Sequence, residues 1–269
     1  MRWSSPVVQA IVATLAVGWC SMSTSQEVAI CKAAHAHNDY LHTRPLLDAL
    51  QQGFCSVEAD IFLVDGELLV AHTRLELTPT RTLRDLYLEP LRKRIADHKG
   101  SVHGDGQLFT LLIDIKTDAA ATYKILHQQL AEYSDVFESV EQEKINAAPV
   151  KAIVSGNRPI ALISELSPRY VGIDGRVSDL NSDMPTHLLP LISDNWNSQF
   201  TWRGQGEISE VDRSKLDSIV QKAHQANRRI RFWAIPDNAE SWAIMRDAGV
   251  DLINTDKLAE LSEFLRSSR

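Results

Sequence analysis

Apolar runs with the composition of β-strands alternate with helical patterns along most of the chain. The strand-like runs include VAICKAAH, SVEADIFLV, LFTLLIDIK and RIRFWAIP, and helical patterns such as SKLDSIVQKAHQAN stand between such runs. Strands that alternate with helices of this length imply parallel strands joined by right-handed crossovers. About eight strand candidates can be placed, so the sequence predicts an α/β protein built as a single (β/α)8 TIM barrel.

The N-terminal segment has the composition of a secretory signal peptide. Arg2 is the only charged residue before Glu27, and an apolar run at residues 7–19 is followed by small polar residues. This pattern is typical of a signal peptide rather than of a membrane span. We expect residues 1–25 to be cleaved and residues 26–269 to form the barrel of a secreted or periplasmic protein without a stable membrane span. An uncleaved anchor is the alternative.

Two cysteines, Cys31 and Cys55, remain once the segment with Cys20 is removed. In an oxidising compartment they can form a disulfide, above all if they lie at the starts of neighbouring strands. Two buried free thiols are the alternative, and so few cysteines argue against a zinc site.

The formal net charge is −7 at pH 7, and the basic residues form no long stripe. A nucleic-acid duplex or an anionic membrane surface is therefore not expected as a partner. An anionic substrate would need a local metal ion or lysine to offset its charge.

Polar side chains stand at the carboxyl ends of several predicted strands. In a (β/α)8 barrel this end carries the active site, so residues that are distant in sequence converge there. The set comprises His35 and His37 on the first strand, Glu58 and Asp60 on the second, His72 after its hairpin, Asp114 and Lys116 on the third, Asp194 and Asn195 on a later strand and Trp233 on the seventh.

Glu58 and Asp60 in SVEAD are separated by one residue, so both carboxylates point to the same side of a strand. Adjacent carboxylates repel each other unless one is protonated or a cation lies between them. With Asp114 as a third carboxylate, the set offers the oxygen ligands that Mg²⁺ or Ca²⁺ prefers. Lys116 follows on the same face and adds a positive charge suited to phosphate. The alternative is a solvated strand edge.

Three histidines are candidates for proton transfer. His35 and His37 in AAHAHNDY are two residues apart at the end of a strand, so both imidazoles can reach one site. His72 ends the apolar run LLVAH, where burial and nearby carboxylates have opposite effects on the imidazole pKa and can set it near neutral pH. A single histidine after an apolar strand is often structural, but the Asp65–Gly66 turn brings His72 back toward the carboxylates.

These motifs resemble the glycerophosphodiester phosphodiesterase and phosphatidylinositol-phospholipase-C-like barrel superfamily. The resemblance extends over most of the chain except its middle, and it rests on AAHAHND, GFCSVEADI, DGELLVAH, LLIDIK, RFWAIPD and DAGVDLINTD. It is closest to a less characterised branch that opens with HxHNDY, and it extends to the sphingomyelinase-D-like group. The resemblance implies two histidines as acid and base and one divalent cation. The implied metal ligands are Glu58, Asp60 and Asp114, the implied catalytic histidine on the hairpin is His72, and the implied substrate contacts are Lys116, Asn38 and Trp233.

The first catalytic histidine has two candidates, because the chain has His35 and His37 where the family has HRG. Spacing to Glu58 favours His37 in one family comparison, whereas Asn38, three residues after His35, favours His35 in another. We prefer His35 from the sequence, with His37 orienting it or contacting phosphate. LHTRP also replaces the PENT helix entry of typical glycerophosphodiesterases, so the resemblance does not assure a glycerophosphodiester substrate.

The sequence thus predicts a metal-dependent phosphoric diester hydrolase that acts on a small-molecule or lipid phosphodiester, of glycerophosphodiester or phospholipid type, by histidine acid/base catalysis. Two other functions stay open, and the oligomeric state does not follow from the sequence. An HxH pair also opens zinc-dependent amidohydrolases, in which His35 and His37 both bind metal and further histidines end later strands. The other alternative is a secreted binding protein that has lost catalysis.

Overall fold

The structure is a computed structural model that describes residues 1, 3 and 29–267. Most of the predicted signal peptide, including Cys20, therefore lies outside the described residues, and its cleavage stays a prediction. Among the described helices, none combines the length and the apolar character that a membrane-spanning helix needs.

Eight parallel strands close into a barrel, which confirms the predicted fold. In chain order the strands are β1 (Cys31–Ala36), β2 (Phe54–Val64), β3 (Glu67–Val70), β4 (Phe109–Ile115), β5 (Ser139–Glu141), β6 (Lys144–Asn146), β7 (Val150–Gly156), β8 (Val171–Gly175), β9 (Leu191–Asn195), β10 (Arg229–Trp233) and β11 (Leu252–Thr255). The barrel follows chain order through β1, β2, β4 and β7 to β11, and β1 pairs with both β2 and β11. β3 is antiparallel to β2, and β5 pairs with β6 in a separate hairpin.

The helices follow the strands and cover the outside of the barrel. They are α1 (Leu47–Gln51), α2 (Glu89–Asp97), α3 (Ala119–Ala131), α4 (Ile160–Glu165), α5 (Trp196–Gln199), α6 (Glu210–Gln225), α7 (Ala239–Asp247) and α8 (Leu258–Ser267). Asp118 caps α3, since its Oδ1 accepts the Ala121 N–H at 2.8 Å. α6 begins earlier than the predicted start at Ser214, because Ser209 provides the cap.

The helical segment that follows Thr82 has an irregular first half. The segment Arg84–Leu88 is a π-helix that leads directly into α2, where Pro90 lies in the first turn. Proline lacks an N–H and its ring clashes with the carbonyl one turn earlier, so the wider π-helical turn accommodates it. The sequence pattern fixes the helical face but does not indicate this irregularity.

The hairpin of β5 and β6 was not predicted. Its turn residues Gln142 and Glu143 have φ angles of 49° and 64°, in the left-handed region. Hairpin turns of this kind normally carry Asn-Gly or Asp-Gly, and this turn has neither. For this reason the sequence of this segment does not indicate a hairpin.

The barrel interior changes from apolar to polar along its axis. Four inward-facing side chains form an apolar layer separate from the main core between barrel and helices, namely Leu112, Ile153, Leu191 and Leu252. The inward position two residues further along each of these strands is polar, with Asp114, Ser155, Ser193 and Asn254. The apolar layer therefore closes the interior beneath a polar layer at the carboxyl ends of the strands.

An irregularity in the pairing of β1 with β2 sets the positions of the first two histidines. Cys31 pairs with Phe54, but His35 pairs with Ser56, so two residues of β1 are left out of the regular register. β1 ends at Ala36 and Asn38 has a φ of 49°, which turns the chain away from the strand. Cys31 and Cys55 are both buried free thiols, the second of the two alternatives.

The loop between β1 and α1 is held by a buried carboxylate. Leu46 has a φ of 65°, a strained conformation for a leucine. Asp39 Oδ2 accepts the Leu46 N–H at 2.6 Å and the Tyr87 hydroxyl at 2.9 Å. Burial raises the pKa of Asp39 to about 7, although both hydrogen bonds oppose this effect. Asp39 therefore fastens the loop that follows the HxH segment.

Replacement of Asp39 should change how stability depends on pH. The folded carboxyl binds its proton more tightly than the unfolded one, so the free energy of unfolding should fall as the pH rises from 3.8 to about 7. Asp39→Asn retains an acceptor and should remove this contribution. Urea unfolding across the interval measures the slope, with the exposed Asp183→Asn as control. An unchanged slope in Asp39→Asn would contradict the assignment.

Candidate active site

The carboxyl ends of the barrel strands surround a cavity of about 200 Å³. Its lining is polar apart from one indole, and it comprises His37, Glu58, Asp114, Lys116, Ser155, Arg176, Arg231 and Trp233. Five of the predicted site residues, namely His37, Glu58, Asp114, Lys116 and Trp233, are in this set. The cavity lies where a (β/α)8 barrel normally carries its active site.

Three predicted carboxylates meet at one edge of this cavity. Asp60 on β2 pairs with Asp114 on β4, and Glu58 lies on the same face of β2. One oxygen from each lies within 4.8 Å of the others, and within the described part of the chain this is the one cluster of three or more possible metal-binding side chains. The alternation of side chains along paired parallel strands accounts for their convergence.

Glu58 is held as an anion by a buried arginine. Arg231 Nη1 donates to Glu58 Oε2 at 2.6 Å, and both side chains are almost fully buried. Burial would raise the pKa of Glu58, but the Arg231 charge outweighs it and holds that pKa well below its usual range. Glu58 therefore remains ionised in the barrel interior.

The other two carboxylates share a lysine. Lys116 Nζ lies 3.0 Å from Asp60 Oδ2 and 3.0 Å from Asp114 Oδ1. Burial and the Glu58 charge nevertheless raise the pKa of Asp60 to about 6, and burial also raises the pKa of Asp114. The pKa of Lys116 is raised, because the two carboxylates outweigh its burial. This part of the site holds more negative charge than Lys116 alone compensates.

His35 lies inside the barrel and does not line the cavity. Its side chain is 0% exposed, and its Nδ1 is 2.7 Å from Ser56 Oγ. Burial and the Arg231 charge lower the pKa of His35 to about 4, so the ring is neutral near pH 7. Nε2 then accepts from Arg231 Nη1 at 2.8 Å and lies 3.2 Å from Glu58 Oε2, and Nδ1–H donates to Ser56. Both ring nitrogens are therefore engaged with protein groups.

His37 lines the cavity and has a carboxylate partner. Its side chain is 31% exposed, and its Nδ1 donates to Asp256 Oδ1 at 2.9 Å. The Asn38 amide donates to the same oxygen at 3.2 Å. Burial opposes the effect, but the hydrogen bond to Asp256 raises the pKa of His37. Nε2 has no hydrogen-bond partner among the described residues and is the nitrogen available to a substrate.

His72 lies on the other side of the carboxylate cluster. Its Nδ1 is 3.7 Å from Asp60 Oδ2 and 3.0 Å from the Tyr40 hydroxyl, and its side chain is 52% exposed. The Tyr40 hydroxyl also lies 2.7 Å from Asp60 Oδ2. Burial and the neighbouring carboxylates raise the pKa of Tyr40, so the phenol keeps its proton. Tyr40 therefore fixes His72 beside the cluster.

The remaining predicted residues divide into two groups. Trp233 lines the cavity, and the Arg176 guanidinium carbon lies 5.0 Å from its ring centroid. Asp194 and Asn195 serve the backbone instead: Asp194 Oδ2 accepts the Val177 N–H at 3.1 Å, and Asn195 caps α5. These two polar residues stabilise loops at the end of β9.

Several residues of the site were not predicted as such. The main ones are Tyr40, Ser155, Asp174, Arg176, Arg231 and Asp256. The sequence contained a signal for three of them. Tyr40 and Asp256 lie within the motifs HNDY and INTD, and Arg231 lies two residues before Trp233 on the same face of β10. Ser155, Asp174 and Arg176 had no distinguishing pattern.

The zinc alternative does not fit this arrangement. His35 and His37 contact different groups, and the acidic cluster contains no histidine. Three of the other histidines interact with groups outside the cavity: His103 with the carbonyl of Phe54, His187 with Glu143 and His224 with Asp251. The ligand set that a zinc amidohydrolase needs is therefore absent from the described cavity.

Sequence comparison identifies the family. The family described as AIM6-like phosphodiesterase domain matches residues 23–171. The chain belongs to this family. A second match, to the Glycerophosphoryl diester phosphodiesterase family, covers residues 229–259, which include β10 and β11. Together the two AIM6-like and glycerophosphodiesterase matches include nearly all of the cavity-lining residues.

Fungal relatives share most of the chain with this AIM6-like protein. Altered inheritance of mitochondria protein 6 from Eremothecium gossypii is 29% identical over 285 residues, which cover 89% of this chain and 71% of the relative. The homologue of that protein from Arthroderma benhamiae is 26% identical over 252 residues, covering 82% of this chain and 80% of the relative.

Solved structures of glycerophosphodiester phosphodiesterases have the same fold. The enzyme from Agrobacterium tumefaciens has a TM-score of 0.53 at 15% identity, and the match covers 88% of this chain and 100% of that chain. A putative enzyme from Silicibacter pomeroyi has a TM-score of 0.52 at 13% identity, covering 90% and 94% of the two chains. These solved structures show the fold, and together with the two family matches they confirm the resemblance to the glycerophosphodiester phosphodiesterase superfamily.

Loss of Arg231 should destabilise the barrel strongly. Arg231→Met leaves Glu58 buried without its counter-charge, and the free energy of unfolding should fall by about 3–5 kcal/mol. Adding Glu58→Gln should recover part of this loss, because the uncompensated charge is then removed. Denaturant unfolding of the single and double variants gives the coupling.

The matched control is Arg246→Met, which removes an exposed arginine paired with Asp247 on α7. This surface change should alter stability by no more than about 0.5 kcal/mol. Equal effects of the Arg231 and Arg246 substitutions would show that the buried ion pair is not required for folding.

Proposed function

We propose that the protein is a divalent-cation-dependent phosphodiester hydrolase in which His37 and His72 transfer protons. The observation that carries the proposal is the gathering of three carboxylates within 4.8 Å of one another beside Lys116. His37 lines the same cavity, and His72 is 3.7 Å from Asp60. The family and the fold support phosphodiester cleavage. The carboxylates can bind a cation, and the two histidines can transfer protons.

The three carboxylates fit a hard divalent cation. Asp60 Oδ1 is buried and has no hydrogen-bond partner, which is costly unless a cation or water contacts it. Gly156 leaves room for Asp114, because a Cβ atom there would lie 2.2 Å from Asp114 Oδ1. Carboxylate oxygens suit Mg²⁺ or Ca²⁺. When bound by Glu58, Asp60 and Asp114, such an ion supplies Lewis-acid stabilisation of charge on the phosphoryl oxygens.

Lys116 and the two cavity histidines have distinct roles in the proposal. Lys116 Nζ contacts a non-bridging oxygen of the phosphodiester and offsets its charge. His37, whose pKa is raised, holds a proton on Nε2 and gives it to the leaving alkoxide. His72 takes the proton of the attacking hydroxyl, from water or from the substrate itself. Its exposed side chain allows this contact.

Asp256 and Tyr40 keep the two rings in position. Asp256 accepts from His37 Nδ1, so the proton for transfer is on Nε2. The Tyr40 hydroxyl holds His72 from its Nδ1 side in the same way. Each histidine therefore presents one defined nitrogen, as acid/base catalysis requires.

The geometry favours a small phosphodiester or a phospholipid head group as substrate. The cavity of about 200 Å³ accommodates the phosphodiester and little more, so the two substituents extend through the open mouth. Trp233 forms an apolar wall beside Arg176 and contacts one substituent. The Asn38 amide donates to Asp256, and its contact with the substrate stays a prediction.

Substitution of the two neighbouring histidines should separate their roles. His37→Ala should lower kcat/KM for bis(p-nitrophenyl) phosphate by about 10²–10⁴-fold with little effect on stability, because it removes a proton donor. His35→Ala should lower the free energy of unfolding by about 1–3 kcal/mol, because Arg231 and Ser56 lose a buried partner. Steady-state kinetics and urea unfolding measure both effects.

His98→Ala is the control for the loss of a histidine outside the cavity, since His98 lies at the end of α2. It should leave activity and stability close to those of the unmodified protein. Unmodified kcat/KM in His37→Ala would refute its role. Loss of activity in His35→Ala without loss of stability would support the sequence-based preference for His35.

Cation binding should depend on the acidic cluster. Asp60→Asn removes one of three anionic ligands and should weaken Mg²⁺ or Ca²⁺ binding by at least about tenfold. Isothermal titration calorimetry measures binding, and hydrolysis should stop with EDTA and return with the added ion. Asp194→Asn is the control, because Asp194 lies at the same end of the barrel but outside the cluster. Hydrolysis unaffected by EDTA, or tightly held zinc, would contradict the proposal.

A further inference from the structure

An open groove adjoins the active-site cavity at the mouth of the barrel. We call it the basic groove, and it is lined by Arg74, Lys116, Thr117, Asp118, Ala119, Gly156, Asn157 and Arg158. Lys116 lines both the groove and the cavity, and Gly156 in the groove follows Ser155 in the cavity. Arg74 follows His72 by two residues. The groove is therefore continuous with the proposed phosphate site on the side of His72.

Arg74 has no charged partner within the described residues. It is exposed in the short 3-10 helix Arg74–Glu76, and its guanidinium carbon lies 5.8 Å from the centroid of the Phe62 ring. None of the hydrogen bonds or ion pairs described for the chain involves its guanidinium. Arg74 thus presents its full set of N–H donors to the groove.

Arg158 is fixed in place but also lacks a carboxylate partner. Its Nη1 donates to the backbone carbonyl of Asp174, and the side chain is half-buried. No ion pair within residues 29–267 includes Arg158. The one acidic residue of the groove, Asp118, already accepts the Ala121 N–H at 2.8 Å as the cap of α3. Positive charge therefore exceeds negative charge in the groove.

This excess is unusual for a chain with a formal net charge of −7. Two guanidinium groups that line a groove without carboxylate partners are suited to an oxyanion, because their planar N–H pairs match phosphate and carboxylate oxygens. Lys116, which is paired with Asp60 and Asp114, lies at the boundary between the groove and the cavity.

We infer that the basic groove binds a second anionic group of the substrate, through Arg74 and Arg158. The inference rests on the proposed function and specifies its substrate class: a phosphodiester whose substituent beside His72 carries a phosphate monoester or a carboxylate. The scissile phosphate contacts Lys116, and the second anion lies on the groove side of the same lysine. A neutral substituent such as unmodified glycerol leaves the groove unused.

Binding of small product-like anions to the full chain tests this inference without requiring turnover. Propyl phosphate has one anionic group, propane-1,3-diyl bisphosphate has two phosphates, and 3-phosphooxypropanoate has a phosphate and a carboxylate. Isothermal titration calorimetry should show that at least one two-anion ligand binds about tenfold or more tightly than propyl phosphate. Comparison of the two ligands that carry two anionic groups shows whether the groove prefers a phosphate or a carboxylate.

The preference should depend on the two arginines. Arg74→Gln, an exposed change that is safe for folding, should reduce the preference by several-fold, and the double variant with Arg158→Gln should abolish it. Affinity for propyl phosphate should stay within about twofold in both variants. Arg246→Gln, on α7 away from the groove, should behave like the unmodified protein.

Equal affinity of the unmodified protein for one-anion and two-anion ligands would overturn the inference, and so would a preference that survives in the double variant. Failure of the proposed function has a different signature. If the preference depends on the arginines but no phosphodiester is hydrolysed, the groove is an anion site and the proposed chemistry is wrong.

Discussion

The ion pair between Arg231 and Glu58 inside the barrel is the interaction on which the site depends. A buried carboxylate is costly unless it is paired, and Arg231 contacts Glu58 at 2.6 Å and Ser193 at 3.1 Å, with Asp174 at 4.0 Å. The same guanidinium donates to His35 at 2.8 Å, and burial together with the Arg231 charge lowers the pKa of that ring and keeps it neutral. One cation thus makes it possible for the barrel interior to be polar directly above an apolar layer.

Within the polar layer, the pKa values of two neighbouring carboxylates are shifted in opposite directions. Glu58 keeps a low pKa beside Arg231, whereas Asp60 has a pKa of about 6 because burial and the Glu58 charge disfavour its ionised form. A divalent cation among the carboxylates would remove this repulsion, and Lys116 relieves only part of it. The proposed acid and base, His37 and His72, lie outside this layer, where they can exchange protons with a substrate.

Much of the site followed from the sequence because strand periodicity and barrel topology are strong constraints. Side chains two apart on a strand share a face, which placed Glu58 with Asp60, and the shared carboxyl ends of parallel strands brought Asp114 to them. The roles of His35 and His37 did not follow in the same way. Their separation depends on a register irregularity between β1 and β2 and on a chain reversal at Asn38.

The sequence by itself determined the strand and helix alternation, the closed parallel barrel and the acidic cluster, because each depends on local pattern and on a topology with few alternatives. Only the tertiary structure decided which imidazole lies in the barrel interior and which lines the cavity. It also decided that Arg231 neutralises Glu58 and that Asp256 supports His37. These pairings join residues about 170 to 220 positions apart in the chain, and their energies depend on burial and distance, which exist only once the barrel has closed.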